Sequence, residues 1–186
     1  DAWVDAALDA LAEAVGGLRR AGGDPGDVAA LGLAWQRETF VALDAEGDPL
    51  RPAILWLDQR AAREAEEARD AFGAQRFLRI TGKQLDTTPS TSKLLWLRRH
   101  EPRAYARLAQ VLDVGGYLTR ALCGAERTCL VGADSLCLMD LERGAWSAEV
   151  SGSGLTPAGV AGLRASTGTA PAQTITFVGH LAIGAA

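Results

Sequence analysis

Hydrophobic residues recur at three- and four-residue steps in the first part of the chain, a spacing typical of an amphipathic helix. We therefore expect a helix over residues 2–20. Its apolar face consists of Val4, Leu8, Leu11, Val15 and Leu18. Residues 22–27 are glycine, aspartate and proline only, which predicts a turn at the end of this helix.

Three short apolar runs follow that turn, at residues 28–35, 40–44 and 53–57. Each run is too short for a typical helix and is flanked by turn signals, so each is predicted to be a strand. The first run is apolar throughout, which indicates a strand buried on both faces. Residues 45–49 predict a hairpin-type loop between the second and third runs. Together these elements predict an α/β domain with a mixed sheet flanked by helices.

Helical patterns dominate after Asp58. Residues 60–72 are rich in alanine and charge and predict a helix that stops at Gly73. Residues 82–91 lack periodicity and predict a loop, and residues 93–100 predict the next helix. Shorter elements are expected as well. They are helical turns at 75–80, from Pro102 onward and at 116–122, and extended segments at 111–114, 135–141 and 174–178.

Composition excludes several classes of function. The 186 residues are 48% hydrophobic and 23% charged, with a net charge of -4, which is ordinary for a soluble globular protein. The sequence has no basic stripe, so a nucleic-acid partner is not expected, and no apolar run of membrane-spanning length. Its three cysteines have no CxxC spacing. We therefore expect reduced thiols in the cytoplasm and no metal site.

Charged and aromatic residues at the ends of the predicted strands are the candidate binding groups. Arg37 and Glu38 follow the first apolar run, and Trp56 and Asp58 lie at the end of the third. Such residues can form a pocket edge that grips hydroxyl groups and covers a carbon skeleton. The sequence alone leaves open a surface Arg–Glu pair beside a core tryptophan.

Three sequence blocks carry a resemblance to a known family. They are QRET at residues 36–39, PLRPAILWLDQR at 49–60, and TGKQLD at 81–86 with KLLWLRRH at 93–100. Over about residues 1–150 the chain resembles the N-terminal domain of the FGGY family of carbohydrate kinases. The resemblance implies an RNase H-like domain of the actin–hexokinase superfamily, lacking its first strands. Residues 151–186 are expected to be an incomplete tail that leads toward an ATP-binding domain.

The resemblance also implies which residues bind substrate. Gln36, Arg37 and Glu38 match a motif whose Arg and Glu bind substrate hydroxyls, and Trp56 is implied to line the pocket. Thr88 stands where glycerol kinases have an aromatic residue, which favours a larger and more polar sugar. Asp58 is either a substrate contact or half of a structural pair with Arg60.

Two further positions keep open alternatives. Lys93 fits the family signature, either as an anchor for the preceding loop or as a functional residue. Asp134 either reaches the substrate site or caps a turn.

The function implied by the resemblance is ATP-dependent phosphorylation of a sugar hydroxyl, with ATP and Mg²⁺ required. The substrate is expected to be a ketose such as a pentulose, and glycerol or another polyol is the alternative. No catalytic residue is assigned, because the general-base aspartate of the family is expected in a missing segment. The chain as given is therefore expected to be inactive. A non-catalytic sugar-binding or regulatory relative, and a homodimer, are left open.

Overall fold

A two-stranded antiparallel sheet lies at the centre of the computed structural model, which describes residues 1–125 and 130–152. Strand β1 (Phe40–Leu43) pairs with β2 (Gln110–Asp113), so that Phe40 lies opposite Asp113. A second antiparallel pair is formed by β3 (Met139–Asp140) and β4 (Ala145–Trp146).

Eight α-helices are assigned within the described residues. They are α1 (Ala2–Arg20), α2 (Ala62–Ala68), α3 (Ala74–Thr81), α4 (Ser90–His100), α5 (Pro102–Ala106), α6 (Val114–Cys123), α7 (Leu130–Ser135) and α8 (Ala148–Gly152). A 3-10 turn at Pro25–Asp27 follows α1, and a π-helical turn at Arg69–Gly73 joins α2 to α3.

Side chains alternate between the two faces of β1, and both faces are covered. Phe40 and Ala42 belong to the main core, which also contains residues of α3 and α4 such as Phe77 and Leu94. Val41 and its neighbours on the opposite face pack in a second cluster with residues of α1 and α6. The predicted arrangement of a sheet with helices packed on it is therefore confirmed.

Helix α1 begins and is anchored as its pattern predicts. The side chain of Asp1 accepts hydrogen bonds from the backbone N–H groups of Trp3 and Val4, which satisfies donors that have no partner inside the helix. The helix packs on α6 through Ala7 and Leu118. The predicted helix over residues 2–20 is confirmed to within one residue.

The prediction of a doubly buried strand at residues 28–35 is wrong. The segment has no regular secondary structure, and Val28 and Leu31 are more than half exposed. A strand requires neighbours that take up its backbone hydrogen bonds, and no strand among the described residues pairs with this segment. Only the end of the run packs inward, where Leu33 and Trp35 lie against the α1–α6 cluster.

The prediction of a third full strand at residues 53–57 is also wrong. A single bridge joins Ile54 to Phe40, and the chain then turns at Trp56 and Leu57. The hairpin prediction for residues 45–49 is confirmed, because a bridge between Leu43 and Pro49 closes a turn there. The three runs thus do not form three adjacent strands. They form one strand with isolated bridges on its outer edge.

The helices and strands after residue 60 lie near their predicted positions, but their first and last residues differ from the prediction. The helix predicted at 60–72 ends as α2 at Ala68 and continues as the π-helical turn, which closes at Gly73 with a φ of 95°. Helix α4 begins three residues before the predicted 93–100, and the strand predicted at 111–114 is β2. Of residues 135–141, only β3 is a strand. The run at 174–178 lies outside the described residues.

Candidate functional site

Glu38 lies in the left-handed region of backbone conformation, with a φ of 52°. A residue with a side chain costs about 1–2 kcal/mol there, and strain of this kind is concentrated at functional sites. The next residue, Thr39, is fully buried and leads directly into β1, so the strained backbone is held by the core. The carboxylate of Glu38 is thereby presented at the start of β1, with 16% of its side chain exposed.

Arg37 is held by two carboxylates. Its Nη2 donates to Oδ2 of Asp134 in α7, and its Nε lies 3.6 Å from Oε1 of Glu38. The hydrogen bond to Asp134 raises the pKa of the Arg37 guanidinium above its ordinary value, against the lowering effect of burial. The Arg37–Glu38 pair predicted from the sequence is therefore part of a larger charged cluster.

Asp134 is bound by a second cation. Nζ of Lys83, in the loop after α3, lies 2.8 Å from the same Oδ2 atom that Arg37 contacts. Burial would raise the pKa of the Asp134 carboxyl, but the hydrogen bonds from Lys83 and Arg37 lower it below its ordinary value. The side chain of Asp134 contacts Arg37, and its backbone carbonyl accepts from the N–H of Cys137. A substrate contact by Asp134 stays a prediction.

Trp56 is an exposed side chain on a fixed backbone. Its backbone N–H donates to Oγ1 of Thr39 at 3.0 Å, and its carbonyl accepts from Nζ of Lys93 at 3.3 Å. With 42% of its surface exposed, Trp56 is not a core residue, so the alternative of a core tryptophan is wrong. An aromatic ring presented in this way can pack on the carbon atoms of a ligand.

Asp58 forms the structural pair that the sequence left open. Its carboxylate accepts from Nε and Nη2 of Arg60 and from the Arg60 backbone N–H, at 2.7 to 2.9 Å. The side-chain hydrogen bond from Arg60 lowers the pKa of the Asp58 carboxyl. This pair fixes the corner that leads into α2. A direct substrate contact by Asp58 stays a prediction.

Thr88 belongs to a loop that is hydrogen-bonded at several points. Its backbone N–H donates to Oδ1 of Asp86 at 2.7 Å, and Oγ of Ser92 donates to the Asp86 carbonyl at 2.6 Å. Oγ1 of Thr87 donates to Oε1 of Gln59 at 2.7 Å, which ties the loop to the segment before α2. The loop predicted from the lack of periodicity is therefore ordered by its own side chains.

Lys93 connects the two loops that carry Trp56 and Thr88. It is fully buried, and its Nζ donates to the Thr88 carbonyl at 2.7 Å and to the Trp56 carbonyl at 3.3 Å. Burial lowers the pKa of the Lys93 ammonium to about 8, and negative charge at Asp58 and elsewhere opposes that shift. Lys93 is therefore an anchor for the loop, one of the two alternatives that the sequence left open.

The predicted site residues differ in how directly they meet. Arg37 and Glu38 contact each other, Trp56 is linked to them through Thr39, and Thr88 is linked to Trp56 through Lys93. Gln36 is exposed.

The sequence alone does not mark Thr39 or Lys83 as site residues. Thr39 belongs to the QRET block without a predicted binding role, and Lys83 lies in a loop without periodicity. No local pattern shows that Lys83 meets a carboxylate 51 residues further along the chain.

Within residues 1–125 and 130–152, no group of three or more His, Cys, Asp or Glu side chains could hold a metal ion. In the same part of the chain, no helix combines the length and apolar character needed to cross a membrane.

Comparisons with known proteins agree on one family. Residues 1–168 match the FGGY family of carbohydrate kinases, N-terminal domain. A xylulose kinase from Streptomyces coelicolor is 36% identical over 121 residues, which is 64% of this chain and 24% of that protein. A glycerol kinase from Methylibium petroleiphilum is 35% identical over 144 residues, or 74% of this chain and 29% of that protein.

Solved structures give the same fold. The crystal structure of xylulose kinase from Rhodospirillum rubrum matches with a TM-score of 0.61 and 30% identity, covering 64% of this chain and 25% of that one. The matched structures are sugar kinases of the actin–hexokinase superfamily, which confirms the predicted fold class. The chain spans about a quarter of the length of the curated relatives it matches.

Proposed function

Because the chain belongs to the FGGY family of carbohydrate kinases, we propose that residues 1–150 form the substrate-binding domain of an enzyme that phosphorylates a sugar hydroxyl. The observation that carries the proposal is the strained Glu38 beside Arg37, with the exposed Trp56 linked to them through Thr39. A carboxylate that accepts from hydroxyls, a guanidinium that donates to them and an aromatic face together suit a polyhydroxylated ligand.

We assign each residue a role in this binding. Glu38 accepts hydrogen bonds from two sugar hydroxyls, and Arg37 donates to a third oxygen. Trp56 packs on the carbon skeleton. Gln36, which is exposed and precedes Arg37 in the chain, and Thr88, in the loop anchored by Lys93, contact further hydroxyls. Asp58 contributes by fixing the corner after Trp56.

The proposed substrate is a ketose, with a pentulose such as xylulose as the leading member. Xylulose kinases among the relatives support this choice, as does the small polar Thr88, which leaves room for a longer sugar than glycerol. Glycerol is the second candidate, favoured by the glycerol kinase relatives and by the sequence Gln36–Arg37–Glu38. A sugar-binding relative without catalysis is the alternative of another class.

ATP is the proposed phosphoryl donor, with Mg²⁺ as its counter-ion, because the relatives are kinases. Within the described residues, no group of three or more His, Cys, Asp or Glu side chains could hold a metal ion. The proposal assigns ATP, Mg²⁺ and the general base to parts of the protein outside the described residues, as the family resemblance implies. Residues 151–186 would lead toward that ATP-binding domain. A cytoplasmic location and a homodimer are part of the same proposal.

The test is sugar binding and turnover by the product of the complete reading frame. Titration with D-xylulose, D-ribulose and glycerol, followed by tryptophan fluorescence, should show saturable binding, and Trp56→Phe should remove most of the signal. ATP consumption should depend on the same sugar. The 186-residue chain should show no turnover. Binding of none of the three ligands would overturn the proposed function, and binding without ATP turnover would favour the non-catalytic alternative.

A further inference from the structure

One oxygen atom, Oδ2 of Asp134, accepts hydrogen bonds from two cations. Arg37 donates to it through Nη2, and Lys83 donates through Nζ at 2.8 Å. Arg37 and Lys83 come from separate segments of the chain, 97 and 51 residues from Asp134. The two donors therefore converge on one point in space, and a carboxylate of the protein fills that point.

The position is partly open to solvent. The exposed fraction of the side chain is 18% for Asp134, 21% for Lys83 and 39% for Arg37. The Glu38 carboxylate borders the same cluster, 3.6 Å from Nε of Arg37. A ligand held by Arg37 and Glu38 would therefore lie beside the point that Asp134 occupies.

The charges of this cluster cancel. Arg37 and Lys83 supply two positive charges, and Glu38 and Asp134 supply two negative charges, so the formal sum is zero. An uncharged polyhydroxylated ligand leaves this charge balance unchanged. A sugar acid would bring a third carboxylate to a site where both cations are already paired, and like charges at short range disfavour binding.

We propose that Asp134 is a specificity-determining residue that occupies the carboxylate position between Arg37 and Lys83 and so excludes sugar acids from the site. The inference rests on the proposed function, in which Arg37 and Glu38 bind the sugar. The substrate class is thereby narrowed to neutral sugars. Without the Asp134 carboxylate, two convergent cationic donors would suit a ligand carboxylate, because charge-assisted hydrogen bonds of this type are strong and directional.

The experiment compares a neutral sugar with the sugar acid of the same length. The parent protein and Asp134→Asn, each made from the complete reading frame, are titrated with D-xylulose and D-xylonate. We expect the parent to bind xylulose and to bind xylonate at least 100-fold more weakly. The variant should bind xylonate at least 10-fold more tightly than the parent does. A role of Asp134 in folding alone would not produce this gain.

Two further variants locate the gain. Adding Lys83→Met to Asp134→Asn should abolish the new affinity for xylonate, because one of the two donors is lost. Glu67→Gln is the matched control, since Glu67 is also a carboxylate held by two cations, Arg63 and Arg99, but lies on the surface of α2. It should leave both affinities unchanged. If Asp134→Asn does not fold, as judged by its melting curve, Asp134→Ser is measured in its place.

The outcomes separate the two proposals. A parent that binds no neutral sugar overturns the proposed function. A parent that binds xylulose, combined with an Asp134 variant that gains no affinity for xylonate, overturns the role of Asp134 and leaves the proposed function standing. Equal affinity of the parent for xylulose and xylonate also overturns the role of Asp134.

Discussion

The hydroxyl oxygen of Thr39 accepts a hydrogen bond from the backbone N–H of Trp56 at 3.0 Å. Thr39 is fully buried and directly follows Glu38 in the chain. A displacement of Thr39 would therefore move both the carboxylate and the aromatic ring of the proposed site. The hydroxyl group of Thr39 thus connects the segment that carries Glu38 to the segment that carries Trp56.

Replacing Thr39 with Val tests this link with almost no change of shape. The variant should lose roughly 1 kcal/mol of unfolding free energy, because the N–H of Trp56 loses its partner. Sugar affinity should fall several-fold, since the ring is no longer fixed. Urea unfolding and fluorescence titration measure the two effects. Thr39→Ser retains the hydroxyl and should preserve sugar affinity. A Val variant with unchanged affinity would contradict the positioning role.

In the product of the complete reading frame, Glu38→Gln should lower catalytic efficiency without lowering stability. The neutral amide loses the charge-assisted hydrogen bonds to the sugar, a penalty of roughly 1.5–3 kcal/mol, or about 10- to 150-fold in kcat/KM. The melting temperature should stay near that of the parent. The measurement pairs kinetics over several ketoses and glycerol with thermal melting. Unchanged efficiency for every accepted substrate would remove Glu38 from the site.

Glu38→Gly should raise stability while it lowers sugar binding. Glycine adopts a φ of 52° without steric cost, so the variant should gain up to about 1 kcal/mol of unfolding free energy while it loses sugar binding. Urea unfolding and sugar titration on the same preparation check both. A loss of stability would show that contacts of the Glu38 side chain outweigh the relief of backbone strain.

The buried Lys93 should make the free energy of unfolding depend on pH. Its pKa falls from 10.5 to about 8 on folding because of burial, so between those values the unfolded chain holds more protons than the folded one. The contribution of Lys93 to the free energy of unfolding should therefore rise as the pH rises from 8 to 10.5, by about 3 kcal/mol at most. The charged and titratable groups that act on Lys93 are Asp58, Cys137, Glu38 and Asp86.

The measurement is urea unfolding of the parent and of Lys93→Met at pH 7.5 and pH 10. Met has a similar length but no charge, so the rise attributed to Lys93 should be absent from the variant. Subtracting the two profiles removes contributions from groups such as Tyr105, whose pKa is raised by burial. Identical pH profiles would show that the buried Lys93 does not titrate in this range.

Replacing Gly115 with Ala should improve helix propensity but worsen packing. A Cβ atom at this position in α6 would lie 2.4 Å from Cε2 of Trp35. Gly115→Ala gains up to about 1 kcal/mol of helix propensity, but overpacking typically costs 1–3 kcal/mol. We expect a net loss of unfolding free energy of about 1 kcal/mol, measured by urea denaturation. The control for helix propensity is Gly16→Ala in α1. Gly124→Ala is unsuitable as a control because Gly124 has a φ of 71°.

The spacing of apolar residues along the chain predicts helix α1 and strand β1 correctly. Helix α1 was found because its apolar residues follow the helical period, and β1 was found because a short apolar run lies between turns. The run at 28–35 has an equally apolar sequence, but a strand also needs a neighbouring strand to pair with. A window of residues contains no information about that partner, so the strand prediction was wrong.

The candidate site shows the same division. Arg37, Glu38 and Trp56 could be predicted as site residues because a family motif and the ends of two apolar runs mark them, although neither run forms a regular strand. The contact of Lys83 with Asp134 and the link from Lys93 to Trp56 join residues 51 and 37 positions apart. Contacts of that range leave no periodic signal. Their detection required the fold, and the specificity of the site is proposed to depend on the first of them, the contact of Lys83 with Asp134.

The contact between Arg37 and Asp134 spans 97 residues and makes the site sensitive to local opening. Detachment of α7 alone would dissolve the cluster while the core around β1 stayed intact, and such partial openings cost less free energy than global unfolding. A sugar that binds only the closed arrangement must suppress that opening by mass action. Amide hydrogen exchange in residues 130–135 should therefore slow on sugar addition before any change is detectable in β1, which makes α7 the part of the chain that reports occupancy.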